Sequence, residues 1–122
     1  MCSISTNETA TRQLKKLERS NDKKKIERKL VLFASEADIY VSGALDNLEC
    51  SMTRMPPELK GVKKKQIGRH RVYYTGHHTK CSYFAFYIKM FKKSGKDKED
   101  DKKFQKKLIR ALNEKSMRII AS

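Results

Sequence analysis

The spacing of the apolar residues changes at Pro56-Pro57, and any fold for this chain has to accommodate that change. Before the two prolines, apolar residues recur every three or four positions, which predicts helices. After them, short runs rich in β-branched and aromatic residues alternate with glycines, which predicts strands. Proline cannot continue a helix and restricts the residue before it, so the pair marks the boundary between the two regions.

The region before the prolines predicts a helical hairpin. Residues 7–19 carry a short amphipathic pattern, for which Thr6 and Asn7 are both candidate N-caps. A longer pattern runs from residue 21 to residue 48. We expect the two helices to pack antiparallel. Ile4, which lies between serines, is a weak candidate for a short strand before the hairpin.

The region after the prolines predicts a sheet and a final helix. Three runs, residues 62–67, 71–75 and 81–90, are separated by short turns, which favours an antiparallel meander. The third run, CSYFAFYIKM, is apolar on both faces, as expected of a central strand covered on one side by helices. A final helix with an acidic start follows Ser94-Gly95. The prediction for residues 1–122 is a single α+β domain: an N-terminal helical hairpin packed on a small antiparallel sheet, with or without the short first strand, and a C-terminal helix.

The chain is strongly basic, and the excess is unevenly placed. It has 29 Lys and Arg against 14 Asp and Glu, a net charge of +15. Residues 60–122 contain 19 of the basic and only 5 of the acidic side chains. An excess of positive charge in one part of the chain raises the electrostatic potential over the surface that carries it. Such a surface attracts polyanions, whose counterions are released on binding. Nucleic acid is therefore the first expected partner and an acidic protein the second, although solvated lysine-rich helices would give a similar composition.

The remaining composition indicates a cytoplasmic protein. No apolar run reaches the length of a membrane span, and the N-terminus, MCSISTNETA, does not resemble a secretory signal. The three cysteines, Cys2, Cys50 and Cys81, are widely spaced and odd in number, which fits reduced thiols better than a disulfide framework. We therefore expect no membrane association.

The densest candidate for function is the segment LKGVKKKQIGRHRVYY at residues 59–74. Its basic residues fall on two adjacent predicted strands and their connection, so alternate members share a face of the sheet. Cations for phosphates and a tyrosine ring for stacked bases suit single-stranded nucleic acid. Lysines that protect an edge strand from aggregation would look the same. The cluster comprises Lys63, Lys64, Lys65, Arg69, His70 and Arg71, with Tyr73 or Tyr74 nearby and Lys92-Lys93 after the third strand.

The sequence indicates neither a metal site nor a cofactor. His77, His78 and Cys81 lack a fourth ligand at a usual spacing, and a surface turn is the simpler interpretation. Glycine-rich phosphate loops and Ser/His/Asp arrangements are absent from the sequence. Any active site would have to use Lys, Arg, His or Tyr as its acid and base.

Two stretches resemble the RelE/ParE superfamily of toxins. Residues 4–36 are similar to its opening, in which a short strand leads into a helical hairpin containing LKKL. Residues 59–93 are similar to its sheet: a basic strand, a glycine, an x-Arg-x-x-Tyr strand seen here as HRVYY, and a hydrophobic strand that ends in a basic pair. A final helix completes the resemblance, and the longer stretch 37–58 resembles the phage-derived, HigB-like branch.

The resemblance implies the toxin of a type II toxin–antitoxin pair, with an acidic antitoxin protein as its partner. RelE-like members enter the ribosomal A site, where their partners are mRNA and ribosomal RNA. They cleave the mRNA without a metal, by attack of the 2′-hydroxyl on the adjacent phosphate. By this resemblance Arg71, Lys64 and Lys65 are candidate catalytic residues. His70 is a candidate base because residues 94–122 lack the tyrosine of some members. The expected RNA-binding residues are Lys63, Arg69, Tyr74, Lys92 and Lys93. The alternatives are a ParE-like inhibitor that binds DNA gyrase, and an inactive member that only binds RNA or a partner.

Overall fold

The computed structural model describes residues 3–17, 21–36, 56–77, 82–90 and 101–121. These segments form an α+β fold, which confirms the predicted fold class. Their elements, in chain order, are β1 (Ser3–Thr6), α1 (Glu8–Lys16), α2 (Asn21–Glu36), a 3-10 turn (Pro57–Leu59), β2 (Lys63–Ile67), β3 (His70–His77), β4 (Ser82–Met90), α3 (Lys102–Leu112) and β5 (Arg118–Ala121).

The five strands form one mixed sheet in the order β2-β3-β4-β1-β5. The predicted antiparallel meander is confirmed in β2, β3 and β4. The sheet is wider than expected, because β1 pairs parallel with β4 and β5 pairs antiparallel with β1. The sequence pattern did not predict β5, because a run of four residues is too short for a periodicity to be recognised.

The sheet is covered by helices on both faces. One face, here called the hairpin face, packs against α1 and α2 through a core that includes Leu14, Ile26 and Tyr83. The other, here called the α3 face, packs against α3 through Phe86, Phe104 and Leu108. The prediction that helices cover β4 on one side only is therefore wrong. A strand that is apolar on both faces buries both of them, and the final helix supplies the second cover.

The helix starts follow local side-chain chemistry. Asn7 is the N-cap of α1, since its Oδ1 accepts a hydrogen bond of 2.7 Å from the Ala10 N–H. Asp101 does the same for α3 by accepting from the Lys103 N–H at 2.9 Å. The other predicted acidic residues of that helix, and the predicted extension of α2 from residue 37 to residue 48, lie outside the described residues. Within the described segments no helix is long and apolar enough to cross a membrane.

A β-bulge separates the two ends of the β3–β4 pair. Tyr73 pairs with Tyr87, but the next residue, Tyr74, pairs with Ala85. Phe86 is therefore the extra residue of β4. Phe86 and Tyr87 both lie on the α3 face, where each contacts the core beneath α3. The bulge thus shifts the side-chain alternation of β4 by one residue, so that Tyr87 and Lys89 lie on the α3 face.

Candidate nucleic-acid interface

Strand register brings side chains from three strands together on the α3 face. Gln66 of β2 pairs with Arg71 of β3, and Arg71 pairs with Lys89 of β4. These three residues therefore form one row across the sheet. Lys64 lies two residues before Gln66 and pairs with Tyr73, so it belongs to the adjacent row of the same face. We call Lys64, Gln66, Arg71 and Lys89 the Arg71 surface.

Aromatic rings form the floor beside these cations. Tyr73, Tyr87 and Phe104 meet edge to face, with centroids separated by 5.6 to 6.3 Å. The Lys89 ammonium lies 4.2 Å from the centroid of the Phe104 ring, a cation–π contact that holds this flexible side chain near the sheet. The core beneath α3 therefore orients one of the cations of the Arg71 surface.

Burial changes the acidity of Tyr87. It raises the pKa of the phenol above its ordinary value, while a hydrogen bond with the Gln13 side chain acts in the opposite direction. Tyr87 is therefore a neutral phenol at physiological pH, able to donate a proton or a hydrogen bond. It is two residues from Lys89 on the same face of β4.

The three consecutive lysines of β2 do not share a face. Lys64 lies on the α3 face, whereas Lys63 and Lys65 pair with Tyr74 and Val72, whose side chains are in the core of the hairpin face. Successive residues of a strand point to opposite sides, so only one of the three neighbours can accompany Arg71. Of the predicted lysines, the structure brings Lys64 to Arg71 and places Lys63 and Lys65 on the other side of the sheet.

His70 also lies on the hairpin face, away from Arg71. It is 3% exposed, and its Nε2 has no hydrogen-bond partner among the described residues. Burial lowers the pKa of the imidazole, and the Asp22 carboxylate partly opposes that shift. Arg69, in the turn before it, donates two hydrogen bonds to Asp22 Oδ2, at 2.7 and 3.0 Å.

The other predicted site residues are not part of the Arg71 surface as described. Tyr74 is 2% exposed and packs edge to face against Tyr83 in the hairpin-face core, so its ring is not available for base stacking. Lys92, Lys93, His78 and Cys81 lie outside the described residues. Across the ranges that the structure does describe, no group of three or more His, Cys, Asp or Glu side chains is placed to hold a metal ion.

Sequence reasoning missed two members of the Arg71 surface, Gln66 and Lys89. Lys89 is a single cation in an apolar strand, and only its pairing with Arg71 gives it a place in the cluster. The register of that pairing depends on the bulge at Phe86, which pattern analysis does not detect. The signal that could have found Gln66 was its spacing of two from Lys64.

Comparison with known protein families, with curated proteins and with solved structures finds no match for this chain. A function therefore has to be inferred from the chemistry of the Arg71 surface and from the order of the elements.

Proposed function

We propose that this protein is the toxin of a type II toxin–antitoxin pair and acts as a ribosome-dependent, metal-independent mRNA endonuclease. The observation that carries the proposal is the register that places Arg71, Lys64 and Lys89, from three adjacent strands, on one face of the sheet. The element order adds support, since a short strand, a helical hairpin, a three-stranded meander and a final helix are the order expected from the resemblance.

The proposed chemistry is attack of an RNA 2′-hydroxyl on the adjacent phosphate, which forms a 2′,3′-cyclic phosphate as the bond to the 5′-oxygen breaks. The proton of the 2′-hydroxyl passes to water, and the departing 5′-oxygen takes up a proton. The transition state carries extra negative charge on the equatorial phosphate oxygens, which fixed cations stabilise. Arg71 can offer two parallel N–H donors to those oxygens, and Lys89 and Lys64 add point charges on either side. Tyr87 is a candidate proton donor. We assign no proton-transfer role to His70, because its ring is buried on the opposite face.

The proposal includes a cytoplasmic location and two kinds of partner. The RNA partners are mRNA and ribosomal RNA, which a net charge of +15 attracts through salt-sensitive contacts. The protein partner is an acidic antitoxin that would cover the basic surface and prevent cleavage. A reading frame for a small acidic protein beside this one would add independent support.

Primer extension on mRNA from cells that express the protein tests the proposed activity. We expect cuts within translated codons, and a fall of about 100-fold or more in cutting for Arg71→Ala, the magnitude typical of removing one preorganised donor. Growth arrest should disappear in parallel. Intact messages with an induced DNA-damage response would instead indicate a gyrase inhibitor and contradict the proposal. Intact messages with no growth effect would indicate a protein that only binds.

Two adjacent lysines provide a matched control. Lys64→Ala removes a cation from the α3 face. Lys65→Ala removes one from the opposite face, at the next position of the same strand. We expect Lys64→Ala to abolish cutting and Lys65→Ala to retain most of it, with unchanged circular dichroism in both. Equal activity of the two variants would show that this face of β2 is not the site.

A further inference from the structure

Helix α2 has its two described acidic side chains turned toward the sheet. Asp22 is bound by Arg69 of the β2–β3 turn, with a shortest N–O distance of 2.7 Å. Glu27 is bound by Arg118 of β5, at 3.4 Å. The guanidinium of Arg69 also lowers the pKa of Asp22, which keeps that carboxylate ionised. Two arginines distant in sequence thus neutralise the acids of α2 on its inner side.

The outer side of α2 is left with cations. Its exposed residues at positions i, i+3, i+4, i+7 and i+8 lie on one helical face. They line an open groove of about 520 Å³. The Lys25 ammonium marks one border, because it lies against the β2–β3 turn, where a Cβ added at Gly68 would be 3.1 Å from its Nζ. We call this set the α2 stripe: Asn21, Lys24, Lys25, Arg28 and Lys29.

We propose that the α2 stripe binds the sugar–phosphate backbone of a double-stranded nucleic acid. The stripe extends over nine residues, about 12 Å along the helix, a length that spans several phosphates. The described residues that line it include no aromatic ring, so it suits phosphate contacts rather than stacking of unpaired bases. It also lies on the opposite side of the sheet from the Arg71 surface, so both surfaces can be occupied at once.

The identity of this nucleic acid rests on the proposed function. If the protein acts on the ribosome, the duplex is ribosomal RNA, and the α2 stripe anchors the protein while the Arg71 surface meets the message. The stripe would then determine binding and its salt dependence, whereas the Arg71 surface would determine cleavage. A duplex DNA would present the same phosphate chemistry, so the test has to include both.

The test is a fluorescence titration of the full chain with a duplex of 2′-O-methyl RNA, which cannot be cleaved by the proposed chemistry, and with a duplex DNA of the same length. The stripe variant carries Lys24→Gln, Arg28→Gln and Lys29→Gln. The control variant carries Lys102→Gln, Lys106→Gln and Lys107→Gln, which removes three exposed cations from α3. Both variants lose the same charge from a helix surface.

We expect the stripe variant to bind the RNA duplex roughly 10- to 100-fold more weakly than the wild type, with the slope of log K against log salt reduced by about 2 to 3. The control variant should change affinity by less than about 3-fold. Equal losses in the two variants would show that only net charge matters and would overturn the inference. A loss confined to the DNA duplex would also overturn the assignment to RNA.

Two further measurements keep this inference separate from the proposed function. Arg71→Ala should retain most of the affinity for the RNA duplex, even though cleavage is lost. Weak duplex binding by the stripe variant, together with intact messages in cells that express the wild type, would support the role of the stripe and reject the nuclease. An acidic protein is the alternative ligand of the α2 stripe, and titration with poly-L-glutamate tests for it. Loss of poly-L-glutamate binding with unchanged RNA binding would make the stripe a protein-docking site and contradict the inference.

Discussion

His70 is a buried imidazole between the hairpin and the sheet. It borders a small cavity of about 170 Å³ that Gln13, Lys16 and Met90 also line. Its Nε2 finds no partner among the described residues, and burial lowers its pKa. The neutral ring is therefore the form that the folded state accommodates, and its protonation would bring an additional charge beside Arg69.

This environment predicts a stability that depends on pH. The unfolded chain takes up a proton at His70 near the ordinary pKa of 6.5, whereas the folded chain resists it until a lower pH. The free energy of unfolding should therefore fall as the pH is lowered from about 7.5 to about 5, a window above the titration of Asp22. Denaturant unfolding at a series of pH values measures this dependence, and the unfolding free energy of His70→Gln should change less with pH than that of the wild type. Identical pH profiles for the two proteins would contradict this account.

Gly76 is a position where the backbone of β3 lies close against the backbone of β4. Its φ is +128°, and an added Cβ would meet the Ser82 carbonyl oxygen and lie 2.9 Å from Tyr83 Cα. Backbone cannot move aside as a flexible side chain can. The position therefore requires glycine for both conformational and steric reasons.

The glycines allow a matched pair of substitutions. We expect Gly76→Ala to lower the free energy of unfolding by about 2 to 4 kcal/mol, through backbone strain and overpacking. Gly61 also has a positive φ, of +85°, but a Cβ there meets nothing within 4 Å. Gly61→Ala should therefore cost only about 1 kcal/mol. Thermal unfolding measures both, and equal losses would show that the contact with β4 is unimportant.

At the scale of elements, Asn7 joins the start of α1 to the end of α3. Its Oδ1 caps α1, and its Nδ2 donates a hydrogen bond of 2.7 Å to the Ala111 carbonyl. A second link lies beside it, where the Thr9 N–H donates to Glu114 Oε1 at 3.0 Å. The two helices lie on opposite faces of the sheet, so these bonds hold the layers together around the end of β1.

Substitution at Asn7 should separate its two roles. Asn7→Ala removes the cap and the buried hydrogen bond to the Ala111 carbonyl, which then keeps the Glu114 N–H at 3.1 Å, with an expected cost of about 2 to 3 kcal/mol. Asn7→Ser can still cap α1 but cannot reach Ala111, so we expect a loss of about 1 to 2 kcal/mol. Chemical denaturation measures both variants. A serine variant as unstable as the alanine variant would mean that the cap contributes little.

The elements also differ in how far their sequence predicts them. Helices α1 and α3 and the meander have periodic patterns with caps and glycine turns, so their presence was predicted, with boundaries that differ by a few residues in either direction. The place of β1 beside β4 was not predictable, because its parallel partner is almost eighty residues away in the chain. A four-residue strand such as β5 takes its structure from the edge it covers rather than from propensity.

At the scale of the whole molecule, the charge distribution follows from tertiary contacts. The first half of the chain is nearly neutral in sequence, yet α2 presents a cationic stripe because Arg69 and Arg118 bind its described acids. The concentration of basic residues in positions 60–122 therefore does not account for the basic surface on the hairpin. Each ion pair is exposed and contributes little to stability, so its consequence is electrostatic.

The net charge of +15 predicts a response of the stability to salt. Repulsion among 29 basic side chains opposes compaction, and added salt screens it. We expect the free energy of unfolding to rise by about 1 kcal/mol between low salt and about 0.2 M NaCl, and the melting temperature to rise by a few degrees. The stripe variant, with three fewer cations, should gain less. A melting temperature that falls with salt would show that attractive ion pairs dominate.

The amino-acid sequence by itself determined the fold class, the helices, the antiparallel meander and the concentration of cations around residues 63–71. These follow from local periodicity, caps and turns, which act over a few residues. The tertiary structure decided which cations meet. Strand register and one bulge place Lys64 and Lys89 with Arg71 and bury His70 on the other face, because a shift of one residue in a strand exchanges its two faces.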